Sequence, residues 1–597
     1  MKKPNIMKNF TPTLNYLFAL LISSSLNAQI ENVFHSDNQN LLKDSDYELL
    51  EYQTKNEYQD AIENFNQVSR LVPVVYNFNG TWTPSSPIGL SNSSDTIILE
   101  SGTVTISAST VCDNLIVNPG AAVIISSGVT LTCTVMDLQS TSQLFSSLIS
   151  NGTVEGLLNY HRFTSQIGIN DLISSPVSNQ TFETFASTND GELAASGLIR
   201  AFAPFNTSSG AYENYDVVTN ATTVIEPAMG YRAATLVGSL LTFSGLLNEV
   251  DVLDVSISDS PSSGSWNLIG NPYPSYLDFD AFFTLNKSQL DGSSNQAIYG
   301  YDGDASNGWI VWNQATIDSP VITELIAPAQ AFFVKAKVGG GLIDFTTSMR
   351  SIGGSDDFIS GRSSTSPHYG YLKLNLNSGT SNFNTDFYFN HNATEGFDPG
   401  YDSALFNSTA PAFAIYSHLI EDNTGIPFAV QASNPDSINS IIVPLGVNAS
   451  QGQEITISII SSDLSDTVDV FLEDTSNNTS TQLTTNNFII TPNADLSGTG
   501  RFFLRFESES LTQNESTLDA FDIYMNDREK AIIIFGDPLN VITAKLFDIN
   551  GRIVSSHNLR STLSRRTIDT SLLSPGIYVI ELRGDSNERL VKKLVIR

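Results

Sequence analysis

The segment Asp302-Gly303-Asp304-Ala305-Ser306-Asn307-Gly308 sets oxygen-bearing side chains at alternate positions of a tight loop, an arrangement that suits a hard cation such as calcium. Its glycine falls one place late for an EF-hand, and Asn313 stands where that loop needs a bidentate Glu. An Asp-Gly hairpin turn therefore explains the same residues. Asp398 and Asp402, bracketing Pro399-Gly400-Tyr401, are a second pair of candidate cation ligands open to the same two readings. Aromatic side chains offer another chemistry. Trp266, Tyr273, Trp309 and Trp312 fall in one stretch with Tyr276, Tyr299 and Tyr301, and exposed rings of this kind make a platform on which sugars stack. Aromatics also dominate β cores, so filling the interior is the competing role.

Catalytic constellations are scarce. The chain has no Gly-x-Ser-x-Gly elbow, no His-Glu-x-x-His, no Walker loop and no Gly-x-Gly-x-x-Gly, so serine hydrolase, zincin and nucleotide readings have no motif to rest on. Six histidines, at positions 35, 161, 368, 391, 418 and 557, are scattered with none paired at helical spacing, which argues against zinc and histidine-based catalysis. A glycosidase needs two carboxylates across a sugar. Asp278 and Asp280 would share one side of a strand at period two, but a turn and a solvated edge explain them as well. The expectation is a non-enzyme with no catalytic residue and no cofactor, calcium being the one ion considered. The rival class is an extracellular polysaccharide-degrading enzyme or accessory protein.

The elements that must position these residues are strands. From Thr96 to Val135 the chain alternates very short apolar runs, such as Ile97-Ile98-Leu99, Val104-Thr105-Ile106 and Leu115-Ile116-Val117, with Gly, Asn, Pro or Ser. Evenly spaced short strands of this kind predict a β-solenoid whose coils are buried only by their neighbours. Cys112 and Cys133, the only cysteines, lie about one coil apart, so a disulfide between stacked coils is feasible, with two buried free thiols as the alternative. Ahead of the solenoid, residues 41–71 lack Gly and Pro and allow an amphipathic helix. Behind it, short strands and turns run to Arg350, a Ser/Gly-rich stretch follows, and a second β unit ends near Phe506. Long helical periodicity is absent from both units, so the class is all-β: a short β-solenoid, then β-sandwich-like modules.

Size and charge bound the rest. A chain of 597 residues exceeds what one core serves. Its net charge is −33, and between residues 29 and 530 sixteen Lys/Arg face fifty-six Asp/Glu, a net of −40. So acidic a surface repels nucleic acid, which needs a basic footprint; solubility outside a cell is its plainest use, with calcium capture or attraction to a cationic partner as the alternatives.

The two ends carry an address. Lys2, Lys3 and Lys8 precede an apolar stretch from Leu14 to Ile22 and a small-residue run to Ala28, the layout of a secretory signal peptide that is too short to span a bilayer. At the other end, short alternating runs and the Asn550-Gly551 turn predict a small β-sandwich. The motifs Ser574-Pro575-Gly576-Ile577-Tyr578-Val579 and Val591-Lys592-Lys593-Leu594-Val595-Ile596-Arg597, with Lys545 to Val554 upstream, resemble the C-terminal sorting domain of type IX secretion substrates. On that resemblance Gly551, Pro575, Gly576, Tyr578, Lys592 and Lys593 carry the sorting motif. The type IX machinery is the implied partner, and a secreted or surface-attached location reached through the periplasm is implied, with no integral membrane segment. The segments Trp266 to Pro274, Ala327 to Val334 and Ala393 to Asp402 resemble modules that recur in large substrates of this route. Asp95-Thr96-Ile97, Asp402-Ser403-Ala404, Asp436-Ser437-Ile438 and Asp466-Thr467-Val468 look like the acceptor used for periplasmic O-glycosylation in bacteria with this route, which makes Thr96, Ser403, Ser437 and Thr467 candidate sites. The expected organisation is a signal peptide at 1–28, a helical or spacer segment at 29–74, the solenoid at 75–160, β-rich module 161–350, linker 351–366, β-sandwich module 367–510 and sorting domain 525–597. Function is expected to be adhesin-like or glycan-contacting.

Overall fold

The structure is a computed structural model that describes residues 72–301, 303, 309–319, 322, 323, 325–354, 356, 361, 362, 370–508, 522–535, 542–548, 552–559, 565–583 and 589–597. The expected signal peptide, all but the last three residues of the helical or spacer segment and most of the Ser/Gly-rich stretch lie outside these residues. Strands dominate, with a few short helices, as the all-β expectation requires.

A β-solenoid of about four turns comes first. Its strands are β1 (Val75–Asn79), β2 (Trp82–Thr83), β3 (Thr96–Ser101), β4 (Thr103–Ile106), β5 (Thr110–Val117), β6 (Ala122–Ile125), β7 (Thr130–Leu138), β8 (Ser147–Ser150) and β9 (Thr153–Thr164). In one sheet β1, β3, β5, β7 and β9 stack in parallel; β4, β6 and β8 stack as a second. Register places Ile97, Leu115, Met136 and Leu158 in one column and Leu99, Val117, Leu138 and Tyr160 in the next, every member at 0–1% exposure. Each coil is too small to bury these side chains alone, so each full burial, worth about 1.5–3 kcal/mol, depends on the coil above and below. The same register sets Cys112 opposite Cys133, and the two form a disulfide. Gly156 marks the place where β9 slips past β7: its φ is +132°, and a Cβ there would lie 1.9 Å from the Cys133 carbonyl oxygen.

The parallel pairing of coils ends at Tyr160. β9 continues to Thr164 and then pairs antiparallel with Ser239–Leu247, which carries the inner columns onward by setting Phe243 against Tyr160. Helix α1 (Phe182–Thr188) closes the end of this core with Phe182 and Phe185. Arg162, 1% exposed, lies 4.3 Å over the Phe145 ring and donates to Gln330, tying the last coil to the following module.

That module is built on a four-stranded sheet in the order Trp266–Gly270, Ala331–Lys335, Ile298–Tyr301, Trp309–Trp312. One face packs Ile269, Phe332, Val334, Ile298 and Trp312 against helix α2 (Phe279–Asn286). The pair Asp278/Asp280 is not on one side of a strand: Asp278 caps α2 by accepting from the Ala281 N–H, and Asp280 accepts from Thr284 in the first turn. The other face turns toward the third module.

In the third module one sheet runs through strands 468–474, 502–508, 442–448, 414–417, 428–433, 382–389, 371–377 and 455–462 in that order. Leu372, Leu374 and Leu376 share a core with Val443, Leu445, Val447, Phe502, Leu504 and Phe506, although several strands separate them. The sheet therefore folds over on itself and encloses its apolar face, a sandwich-like solution to burial. At its margin Arg501 makes a two-pronged bond to Asp474, whose side chain is fully buried, at 2.8 and 2.7 Å. Residues 522–597 form a separate small sandwich. Strands 522–526, 531–535 and 565–569 face strands 553–559, 542–548, 576–583 and 589–596 across a core that includes Ile532, Ile534, Leu546, Ile580 and Leu594.

Two stability outcomes follow from these contacts. Replacing Cys112 and Cys133 by alanine frees a loop with a sequence separation of 21, which by the chain-entropy argument costs about 3 kcal/mol; chemical denaturation followed by a solenoid probe should show a lower midpoint. Arg501→Ala should cost about 3 kcal/mol by leaving a buried carboxylate unpaired, the low end for a buried pair because Arg501 is partly exposed. Burial raises the Asp474 pKa, but the Arg501 bonds outweigh it and hold the group below its ordinary value. The pair's contribution is thus complete above the unfolded pKa of about 3.9 and is lost as pH falls through the lower folded value. An acid melt of the Arg501→Ala variant should lack that loss.

Candidate functional site

Period-two alternation decides which tryptophans a ligand can reach. In the strand Trp309–Trp312, residues 310 and 312 point to the α2 side, whereas 309 and 311 point to the third module. Trp312, Tyr273 and Trp266 are 3%, 0% and 2% exposed. The four-residue platform is therefore corrected: Trp312 packs on Phe279, and Tyr273 donates its hydroxyl to the Phe345 carbonyl. Trp266 is sealed between Tyr299 and Phe406. Only Trp309 of the four is half-buried, and it stacks on Phe406 at 4.7 Å and 20°.

Trp309 lines a cavity of about 210 Å³ between the second and third modules. Tyr299, Trp309, Val311 and Phe406 make its apolar wall, and Lys373, Asn384 and Asp386 face them from strands 371–377 and 382–389. Lys373 and Asp386 pair at 3.5 Å, and the buried Tyr371 hydroxyl donates to Asp386 at 2.6 Å. Burial and the neighbouring Asp386 both drive the Tyr371 pKa up, so this hydroxyl stays protonated and keeps the carboxylate in place. A ring-stacking surface opposite an ammonium, an amide and a carboxylate can hold a polyhydroxylated ligand by its C–H face and its hydroxyls. Asp386 is the one carboxylate lining this cavity among the described residues.

Phe406 reaches this place because the loop before it is locked to the second module. Asn313 donates to the Tyr401 carbonyl at 3.0 Å and to Ser403 Oγ at 2.8 Å, the Gln314 N–H reaches the Gly400 carbonyl, and Tyr299 donates to the Ala404 carbonyl. Asp402 closes the same loop internally, accepting from the Asp398 and Ala432 N–H groups at 2.7 and 2.8 Å, while Asp398 accepts from Thr394. The oxygens of this candidate cation pair are thus already engaged by the chain. Burial pushes the Asp402 pKa up to about 8, against those two N–H bonds. Asp302 and Asp304 lie outside the described residues. Between them Gly303 is buried and donates to Asp171, and a Cβ on it would lie 1.9 Å from the Asn170 carbonyl oxygen. Among the described residues no group of three or more His, Cys, Asp or Glu side chains is placed to hold a metal.

The candidate glycosylation sites fare differently. Ser403 is wholly buried beneath Asn313, which corrects its expectation as an acceptor in the folded protein. Thr96 is half-buried in β3, Ser437 is half-buried and donates to Glu395, and Thr467 stands exposed in a turn.

Residues 75–506 match the profile of a family described as a domain of unknown function, DUF8693. The chain belongs to this family. Residues 522–597 match a secretion system C-terminal sorting domain, and the chain is a type IX secretion substrate, exported to the cell surface or outside. No curated protein matches the chain. A solved structure described as "Biofilm associated protein - BSP domain" is similar over 24% of this chain and 27% of that one, at 14% identity and a TM-score of 0.12. The chain thus spans about a quarter of that protein's structure, and the DUF8693 unit has to be read from its own residues.

In the sorting domain the matched region begins at 522, three residues before the expected start, because strand 522–526 completes the first sheet. Gly551 lies outside the described residues, between strands 542–548 and 553–559, which pair as a hairpin. Pro575 and Gly576 are exposed where strand 576–583 starts, and buried Tyr578 donates back to the Ser574 carbonyl at 2.9 Å, fixing that start. Lys592 and Lys593 are exposed on the last strand, and Ile577, Val591 and Val595 leave an apolar outer face beside them. Among the described residues no helix is long and apolar enough to cross a membrane. Deleting residues 527–597 should hold the protein in the periplasm; cell fractionation would contradict this if the truncated protein appeared outside intact cells.

Proposed function

We propose that this type IX substrate acts as a non-catalytic, adhesin-like surface or secreted protein that contacts glycans, with the Trp309 cavity as the contact. The observation that supports the reading is a half-buried tryptophan stacked on Phe406 and facing Lys373, Asn384 and Asp386 across about 210 Å³. The reading is non-catalytic because sugar hydrolysis by the usual route asks for two carboxylates flanking the bond, and Asp386, already paired with Lys373, has no second carboxylate beside it on the cavity wall among the described residues. Asp278 and Asp280 are engaged at a helix start, which speaks against that pair as the catalytic carboxylates.

The test is a polysaccharide pull-down and glycan array with the secreted protein, with and without calcium, followed by product analysis. Binding without cleavage is expected. Trp309→Ala should weaken it roughly thirtyfold, the loss of about 2 kcal/mol typical of a buried aromatic anchor, and Trp309→Phe should retain part of it. Released oligosaccharides would overturn the non-catalytic reading, and binding indifferent to both substitutions would remove the cavity from it.

A further inference from the structure

Arginine in this acidic chain is usually spoken for. Arg501 pairs with Asp474, Arg505 with Glu473 and Glu507, Arg552 with Asp548, Arg565 with Glu529 and Arg583 with Glu581. Two that lack a carboxylate partner share one pocket. Arg200, on the hairpin of strands Ala195–Ser196 and Ile199–Arg200, and Arg232, on strand Gly230–Ala233, are half-buried and line one cavity of about 330 Å³. Neither is within salt-bridge distance of a carboxylate among the described residues, although the Arg200 charge reaches Asp216 across the neighbouring bridge of Ile199 and Asp216. Arg200 gives one N–H to the Gly197 carbonyl at 3.0 Å and Arg232 one to Asn214 Oδ1 at 3.4 Å. A guanidinium has five N–H donors, so most of each fork has no protein acceptor.

We infer that this pocket receives the carboxylate of a singly charged acidic sugar at the end of a glycan. Two planar forks with unused donors suit a carboxylate, which accepts two parallel N–H bonds at once. Their positions are held without one. Arg232 sits in the middle of a sheet between strands 171–174 and 202–206, with its guanidinium 4.1 Å over the Tyr212 ring. The rest of the lining matches a sugar body: Asn170, Ser196 and Asn214 supply neutral hydrogen-bonding groups for hydroxyls. Ile167 and Ile199, both exposed, supply an apolar surface for ring C–H groups or an N-acyl methyl. At about 330 Å³ the cavity lies at the small end of ligand pockets, the size for a terminal residue. The net charge of −33 argues for one carboxylate over a polyanion. Repulsion from the acidic surface is screened beyond about 8 Å at physiological salt, which a single buried carboxylate escapes and a charged polymer lying along the surface does not.

The probes are sialyllactose against lactose and methyl glucuronide against methyl glucoside, titrated into the secreted protein by calorimetry or ligand-observed NMR. At least one acidic probe should bind ten times or more tighter than its neutral counterpart. Arg200→Gln and Arg232→Gln should each lower that affinity at least tenfold, and Arg232→Lys, which keeps charge but loses the fork, should fall between. The preference for the acidic probe over its neutral counterpart should persist in Trp309→Ala, which separates this site from the Trp309 cavity. Arg200 lies on an outer hairpin, so its variant decides the matter should Arg232→Gln fail to fold. Absence of binding by both acidic probes, equal binding of the neutral ones, or affinity unmoved in Arg200→Gln would each overturn the inference.

Discussion

The contact on which the candidate site depends is the seating of the loop 398–408 against the second module. Asn313, with no side-chain exposure, gives both amide hydrogens to that loop, and Tyr299 gives its hydroxyl to the Ala404 carbonyl. These are buried donors with one geometry each, and losing an acceptor would leave them unsatisfied at a cost of about 1–3 kcal/mol apiece. They hold Phe406 between Trp266 and Trp309, so the wall of the cavity is assembled from two modules at once. Asp402 belongs to the same device. Its carboxyl group is taken out of water, which disfavours the charged form, and its two oxygens accept from backbone N–H groups of Asp398 and Ala432.

Upstream, the solenoid transmits order in the other direction. Its columns continue from Tyr160 to Phe243, so the last coil is closed by a strand of the following module, where a polar cap would otherwise be needed. Arg162 then spans from Phe145 to Gln330, and Gln330 lies beside the sheet that carries Trp266 and Trp309. Solenoid, second module and third module are thus linked through buried side chains, each junction supplying what the neighbouring unit lacks.

Much of this was legible from local pattern. Short aliphatic runs separated by turn residues identified the solenoid, and the one-coil spacing of Cys112 and Cys133 placed them in register. Tail motifs identified the sorting domain. What escaped was set by tertiary burial. Trp309 and Trp312 read alike, and only the packing of α2 on one sheet face and Phe406 on the other distinguishes them. Asp278-Phe279-Asp280 reads as an alternating strand, but the cap on Ala281 and the burial of Phe279, Phe282 and Phe283 at helical spacing win. The expected boundary at 160/161 coincides with the end of the parallel coil pairing at Tyr160, while the strand itself runs on to Thr164. Arg200 and Arg232 carried no signal: 32 residues of sequence separate two side chains that share a pocket, and an unpaired arginine cannot be told from a paired one before its surroundings are known.

Both walls of the Trp309 cavity fall within residues 75–506, the stretch matched by one family profile. The cavity is therefore internal to the DUF8693 unit and is not a seam between independent domains that happen to adjoin. This bears on what the unit can do. A cleft between loosely tethered domains can close on a substrate and exclude water, whereas a cleft whose walls share a core and buried hydrogen bonds is held at one width. Fixed width and an aromatic floor favour repeated, reversible contact with a ligand, the requirement of a surface-contacting protein. On the proposed reading, net acidity keeps the bulk of the molecule from sticking indiscriminately and binding falls to the few places where aromatic or basic side chains are exposed in a concavity. The Trp309 cavity and the arginine pocket are two such places, one suited to neutral rings and one to a single negative charge.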